Sequence, residues 1–265
     1  PPRTSQLPGK QGTPVTHAQP SRQTPANPPL TRPRSFRDEC LPADVAASRE
    51  EILRIAGRMM QGRGDKQRFD DLARHSHLLG DLARNRAMRN FVEPLINQPY
   101  RLVESYGLRR ELDSVFYLHN GNSEILRYGD SVARRNMSFR HEFHDGQLYC
   151  MLVKVIVYLT DLHQEEDGPF CYLQGSHKAN WPWFPSTESA DARPTLTKEN
   201  FPSLEQMHTD AGDALILNEA LLHGTLPKTT EGERIVMAFT YAPAFVAAWK
   251  AVDVDSDDID KIGHY

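Results

Sequence analysis

Nowhere in the 265-residue chain does an apolar run approach the eighteen residues that a membrane-spanning helix needs, which excludes such a helix. Cysteine is scarce. Cys40, Cys150 and Cys171 are too few and too scattered for a disulfide framework or a zinc ribbon. That scarcity points to a reducing compartment, and a cytoplasmic location is the expectation. Asp and Glu are missing altogether from residues 1–37, where nine of the 19 prolines gather with Arg3, Lys10, Arg22, Arg32, Arg34 and Arg37. This arm carries +6, so the net charge of −4 conceals a body of −10.

An arm so short of large apolar side chains cannot bury enough surface to offset its ordering entropy. Residues 1–38 therefore read as a disordered, Pro-rich basic tail. Their Arg-rich, acid-free composition also suits an organelle transit peptide, although no amphipathic helix accompanies it. A nucleic-acid partner is not expected, because the body is acidic and no aromatic residues interleave with the arginines. Residues 39–250 read as one domain. Residues 251–265 read as an acidic tail whose aspartates lack the spacing of a calcium loop.

Within the body, Pro42-Ala43-Asp44 opens a helix that carries Ile52, Leu53, Ile55, Ala56 and Met59 at helical spacing and breaks at Gly62 to Gly64. A second helical stretch is expected from Phe69 to Leu95, divided near Gly80. His75 and His77 lie two apart in it, point to different sides, and read as surface residues. After Pro99 the texture turns to strands, the first clear run being 112–118. Residues 139–143 and 147–161 flank an Asp145-Gly146 turn and read as a hairpin. In its second arm Val153, Val155, Val157 and Leu159 alternate with Lys154, Ile156, Tyr158 and Thr160. One face is hydrocarbon and the other mixed, as on a strand between core and cavity. Further strands are expected at 170–173, 214–217 and 234–241. Helices first and antiparallel strands afterwards predict an α+β domain built on a jelly roll.

Two stretches concentrate chemical groups. The first, residues 159–178, reads Leu-Thr-Asp-Leu-His-Gln-Glu-Glu-Asp-Gly-Pro-Phe-Cys-Tyr-Leu-Gln-Gly-Ser-His-Lys. The second, residues 212–224, reads Gly-Asp-Ala-Leu-Ile-Leu-Asn-Glu-Ala-Leu-Leu-His-Gly, and Arg234 follows His223 by eleven residues. In their order and spacing these parts resemble the phytanoyl-CoA dioxygenase family of Fe(II)/2-oxoglutarate oxygenases over residues 100–245. Gln174 stands where that family usually has Pro. The resemblance implies a double-stranded β-helix, or cupin-like jelly roll, with the N-terminal helices packed outside.

It also implies a site. His223 would be an iron ligand, and Arg234 would pair with the far carboxylate of 2-oxoglutarate, which a planar guanidinium fork suits. Val236, Ala238 and Thr240 share the parity of Arg234 and would line the pocket wall. Lys154 and Tyr158, on the mixed face of their strand, are candidates for co-substrate contact, although a snorkelling lysine and a core tyrosine fit the same pattern. His177 reads as a structural residue of its turn. Trp181, Trp183 and Phe184 could cover the pocket or simply pack a long loop.

The other iron ligand departs from the family. Its usual His-x-Asp is absent, and the best match is His119-Asn120-Gly121 at a strand end. His119 is preferred as that ligand over His141 and His144 of the hairpin. Glu124, Glu142 and Asp145 are possible sources of the missing carboxylate. The implied activity is an oxygenase that binds Fe(II), 2-oxoglutarate, molecular oxygen and a small organic or natural-product-like substrate, releasing succinate and CO2. Hydroxylation is the default outcome. Glycine in place of the carboxylate also fits a 2-oxoglutarate-dependent halogenase, and an incomplete ligand set fits a non-catalytic binding protein on the same scaffold.

Overall fold

In the computed structural model, residues 42–59, 66–114, 116–119, 125–128, 132–135, 140–178 and 196–246 are described. The basic arm, the acidic end, Cys40, Gly121, Glu124 and the aromatic run 181–184 lie outside them.

Helix α1 (Pro42–Met59) starts at a proline, whose missing N–H costs nothing in a first turn. The next expected helix is corrected. Phe69 belongs to strand β1 (Lys66–Asp70), and the chain turns at Asp71 with φ 60° before entering α2 (Leu72–His75). Helices α3 (His77–Arg84) and α4 (Arg86–Ile96) follow. The breaks fall at capping side chains. Ser76 Oγ accepts from Leu79 N–H, and Asn85 Oδ1 accepts from Met88 N–H. Gly80 lies inside α3, where a Cβ would come within 2.9 Å of the Ala73 carbonyl oxygen. It marks a close approach of α2 and α3, not a junction. His75 and His77 are exposed, as expected.

The first strand after the helices is β2 (Tyr100–Arg110), whose charged residues hid it in the sequence. Next come β3 (Phe116–His119), β4 (Ile125–Tyr128) and β5 (Val132–Arg135). Strands β6 (His141–His144) and β7 (Gln147–Cys150) form the expected hairpin, its Asp145 and Gly146 both at positive φ. Its second arm is shorter than expected, because the chain leaves it for β8 (Val153–Tyr158), a strand of another sheet. Strands β9 (Phe170–Leu173), β10 (Leu204–Met207), β11 (Ala214–Leu217), β12 (His223–Thr225) and β13 (Arg234–Pro243) complete the order.

Two antiparallel sheets make the jelly roll, β1-β2-β13-β8-β11 and β10-β9-β12-β3. The alternation read on β8 decides which way the larger sheet faces. Val153, Val155 and Val157 join Ile235, Met237, Phe239 and Tyr241 of β13 against the helices, where Ile52, Leu72, Leu79, Met88 and Val92 pack on them. Each such aliphatic or aromatic side chain contributes roughly 1.5–3 kcal/mol on burial. The Tyr241 hydroxyl donates to the Ala83 carbonyl at 2.5 Å and ties the strand to α3. The opposite face of the sheet turns inward and carries the polar side chains.

Candidate active site

Strand pairing assembles this inner face. On β13, Arg234, Val236 and Ala238 pair with Arg110, Leu108 and Tyr106 of β2, and Thr240 of β13 pairs with Lys154 of β8. Directly opposed residues of antiparallel strands point to one side, so these side chains share a face. From the smaller sheet, His119 on β3 and His223 on β12 are themselves paired, with ring centroids 4.4 Å apart. Between the two sheets lies a small cavity of about 50 Å3. Arg234, Val236, Ala238, Lys154, His119 and His223 all line it. Thr240 instead donates to Glu104 Oε2 at 3.0 Å.

His223 is held as a metal ligand needs to be. Its Nδ1 lies 2.7 Å from the Leu221 carbonyl oxygen, and an N–H donated there leaves Nε2 as the atom facing the cavity. Burial pushes its pKa below the usual histidine value despite the nearby Glu219, which favours the neutral, coordinating form. Phe170 stacks on the ring at 5.3 Å. The preceding residue is anchored as well, with Leu222 N–H donating to Ser176 Oγ at 2.8 Å. Ser176 is thus the structural member of the Gly-Ser-His turn, while His177 sits 5.5 Å from His141, ring to ring.

Arg234 is 3% exposed, and among the described residues its Nε has no hydrogen-bond partner. Burial lowers the pKa of this guanidinium, and the Tyr158 phenol beside it partly offsets the effect. Tyr158 does not line the cavity. It is packed among Phe170, Leu162 and Val236, with its ring 5.8 Å from the Arg234 guanidinium carbon, so it supports Arg234 from behind. Arg110 is also fully buried and donates to Ser114 and to Thr225 Oγ1. The cavity is therefore lined by two buried guanidiniums as well as by two imidazoles.

Lys154 lines the cavity as expected, but its partner is Glu219, at 2.6 Å from Nζ to Oε1. Burial alone would lower the lysine's pKa, yet Glu219, Tyr106 and Glu104 together outweigh it and the pKa is raised. For Glu219 burial acts upward, and Lys154, His223 and His119 overcome it and hold the carboxyl down at about 2. Sequence reasoning missed Glu219. The available signal was a carboxylate four residues before His223 in an otherwise apolar stretch. Of the alternatives weighed, His144 and Asp145 are 76% and 88% exposed at the hairpin turn, and Glu142 is exposed too.

The loops that flank the site are organised by the family-like motifs. In the acidic turn, Asp167 Oδ2 accepts from the N–H groups of His163 and Gln164, each at 3.0 Å. Gly168, with φ 70°, lets this turn close on the Leu226 carbonyl, 3.0 Å from where a Cβ would sit. Asp213 Oδ2 caps the turn before β11 by accepting from Asp210 N–H at 2.9 Å. A second cluster, Asp161, His163 and Asp210, lies out toward solvent.

Two imidazoles that line the cavity and a buried carboxylate beside them, with ligand atoms within 4.8 Å of one another, suit a divalent first-row metal. A buried guanidinium whose Nε lacks a partner suits a carboxylate. Iron and 2-oxoglutarate therefore fit the residues present.

The family model described as Phytanoyl-CoA dioxygenase (PhyH) matches residues 42–236. HygX from Streptomyces hygroscopicus, solved with nickel, 2-oxoglutarate and hygromycin B bound, is 43% identical. The match covers 82% of this chain and 85% of HygX, with a TM-score of 0.69. HygX with iron bound gives 42% identity, coverage of 82% and 84%, and a TM-score of 0.66. SnoN, a non-heme α-ketoglutarate-dependent epimerase from nogalamycin biosynthesis, is 20% identical over 77% of this chain and 76% of its own, with a TM-score of 0.55. At that identity the likeness is one of fold alone. No curated protein matches the chain.

Proposed function

The chain belongs to the phytanoyl-CoA dioxygenase family and is an Fe(II)/2-oxoglutarate-dependent oxygenase; we propose that His119 and His223 hold its iron, that Arg234 binds the far carboxylate of 2-oxoglutarate, and that a small natural product is oxidised. The observation that carries this reading is the convergence of the three side chains on one cavity from two sheets. Bound iron and 2-oxoglutarate supply oxygen activation, coupled to decarboxylation of the co-substrate to succinate.

The chain's own part is placement. His223 presents Nε2 because its Nδ1 is engaged with Leu221. Arg234 would hold the co-substrate's far carboxylate, in a setting where burial strengthens the attraction. Phe170, Val236 and Ala238 give the site apolar walls that exclude water. Hydroxylation at a C–H bond is the default outcome of such a site.

The substrate class is a small molecule of the kind that HygX holds, hygromycin B being the first to try. A cytoplasmic setting belongs to the same proposal and rests on Cys150 and Cys171, which are buried free thiols. The test is succinate formation by the Fe(II)-loaded chain in air, with and without hygromycin B. The reading expects succinate from the parent, stimulation by a bound substrate, and loss in Arg234→Ala that excess 2-oxoglutarate partly restores. Equal succinate from the parent and Arg234→Ala at limiting 2-oxoglutarate would remove Arg234 from the site.

No helix among the described residues is long and apolar enough to cross a membrane.

A further inference from the structure

The geometry points to Glu219 as the third protein ligand of the metal, standing in for the carboxylate that the family's His-x-Asp motif would provide. The inference rests on the reading of His119 and His223 given above. The ligand atoms of His119, Glu219 and His223 all lie within 4.8 Å of one another. Glu219 Oε2 faces His223 Nε2 at 4.0 Å, while Oε1 is 2.6 Å from Lys154 Nζ. The carboxylate thus has one oxygen for the lysine and the other for the site.

Glu219 reaches this position from the loop between β11 and β12. Asn218, its neighbour, donates from Nδ2 to the Leu152 carbonyl at 3.0 Å and accepts from Ala220 N–H at 2.8 Å. Leu221 N–H closes the turn on the Asn218 carbonyl at 3.1 Å. The segment is pinned on both sides of the glutamate, and the side chain is 4% exposed.

A plain structural ion pair is the competing explanation. It accounts for Oε1 and Lys154 but not for Oε2, which lies 4.0 Å from His223 Nε2, nor for a carboxylate oxygen within 4.8 Å of ligand atoms on both imidazoles. A monodentate carboxylate whose second oxygen takes a hydrogen bond from an outer partner is a regular arrangement at metal sites, and it makes Lys154 a positioning residue. Two histidines and a carboxylate leave open positions for co-substrate and oxygen. With Glu219 in place no protein position stays vacant for chloride, so the site is built for oxygenation and not for halogenation.

The test is binding of Co(II) to the metal-free full chain, followed by its visible ligand-field absorption, in the parent, Glu219→Gln, Lys154→Met/Glu219→Gln and His223→Ala. The double variant matters because it leaves no buried charge unpaired and also removes the lysine's repulsion of a cation. A weaker site in it reports the carboxylate itself. The inference expects folded protein by circular dichroism, affinity reduced at least about tenfold in both Glu219 variants, and an altered Co(II) spectrum. Parental affinity and spectrum in the double variant, with binding lost in His223→Ala, would overturn the role of Glu219 and leave the oxygenase site standing. No Co(II) binding by the parent, or parental binding by His223→Ala, would instead overturn the site on which the inference rests.

Discussion

Arg110 and Arg234 are paired residues on the neighbouring strands β2 and β13, and both guanidiniums are buried against one cavity. Like charges directly opposed across a ladder repel. Arg110 donates to Ser114 and Thr225 and keeps its place. Among the described residues Arg234 Nε has no hydrogen-bond partner, and under the proposed reading the co-substrate's carboxylate would take that place.

A dicarboxylate should therefore stabilise the fold. At about 100 times its Kd, 2-oxoglutarate adds roughly 2.7 kcal/mol. In a domain of this size each kcal/mol raises Tm by about 2–4 °C. A melting series with Mn(II)-loaded protein should show that rise for the parent and little of it for Arg234→Ala.

The buried pair of Lys154 and Glu219 should be costly to halve. Lys154→Met leaves an uncompensated carboxylate inside the protein, and denaturant unfolding of the metal-free chain should show a loss of about 3–5 kcal/mol. Replacing both partners, in Lys154→Met/Glu219→Gln, should restore most of it. A single variant as stable as the parent would mean that the pair is not buried in solution.

Asp167 gives a pH dependence with a definite sign. Burial would raise its pKa, but the N–H groups of Gln164 and His163 and the Thr230 hydroxyl outweigh burial and lower it. Its contribution is therefore full above the unfolded pKa near 4 and is lost as pH falls through the lower folded value. Asp167→Ala should cost on the order of 1 kcal/mol at pH 7 and should flatten the loss of stability below pH 4.

Chloride supplies a spectroscopic prediction. In the anaerobic complex with Fe(II) and 2-oxoglutarate, chloride should leave the charge-transfer band of the parent unchanged. In Glu219→Gly the vacated position should admit chloride and shift the band. A chloride-induced shift in the parent would mean that the position is open there.

Much of this arrangement was legible in the sequence, and the parts that were not have physical reasons. The alternation of Val153, Val155 and Val157 with Lys154, Ile156 and Tyr158 located both the core face and the cavity face of β8. The Gly-Asp-Ala stretch, His223 and Arg234 located β11 to β13. Strand β2 escaped because Arg101, Glu104, Arg109 and Arg110 interrupt its pattern, and several of these charges find partners far away in sequence. Arg68 pairs with Glu104, and Arg109 with Glu233. Phe69 kept helical spacing with Leu72 although a left-handed turn at Asp71 separates them. Glu219 escaped for a related reason: its partner Lys154 lies 65 residues away in sequence, and only the pairing of β11 with β8 brings the two regions together.

The most direct test of the central claim is anaerobic titration of the metal-free chain with Fe(II) and then 2-oxoglutarate, following the visible charge-transfer band of the chelate. The account predicts a band in the parent, the same band in His144→Ala, its loss in His119→Ala and His223→Ala, and a weaker affinity for 2-oxoglutarate in Arg234→Ala. A band that survives in His119→Ala but disappears in His144→Ala would contradict the account and move the iron to the exposed hairpin.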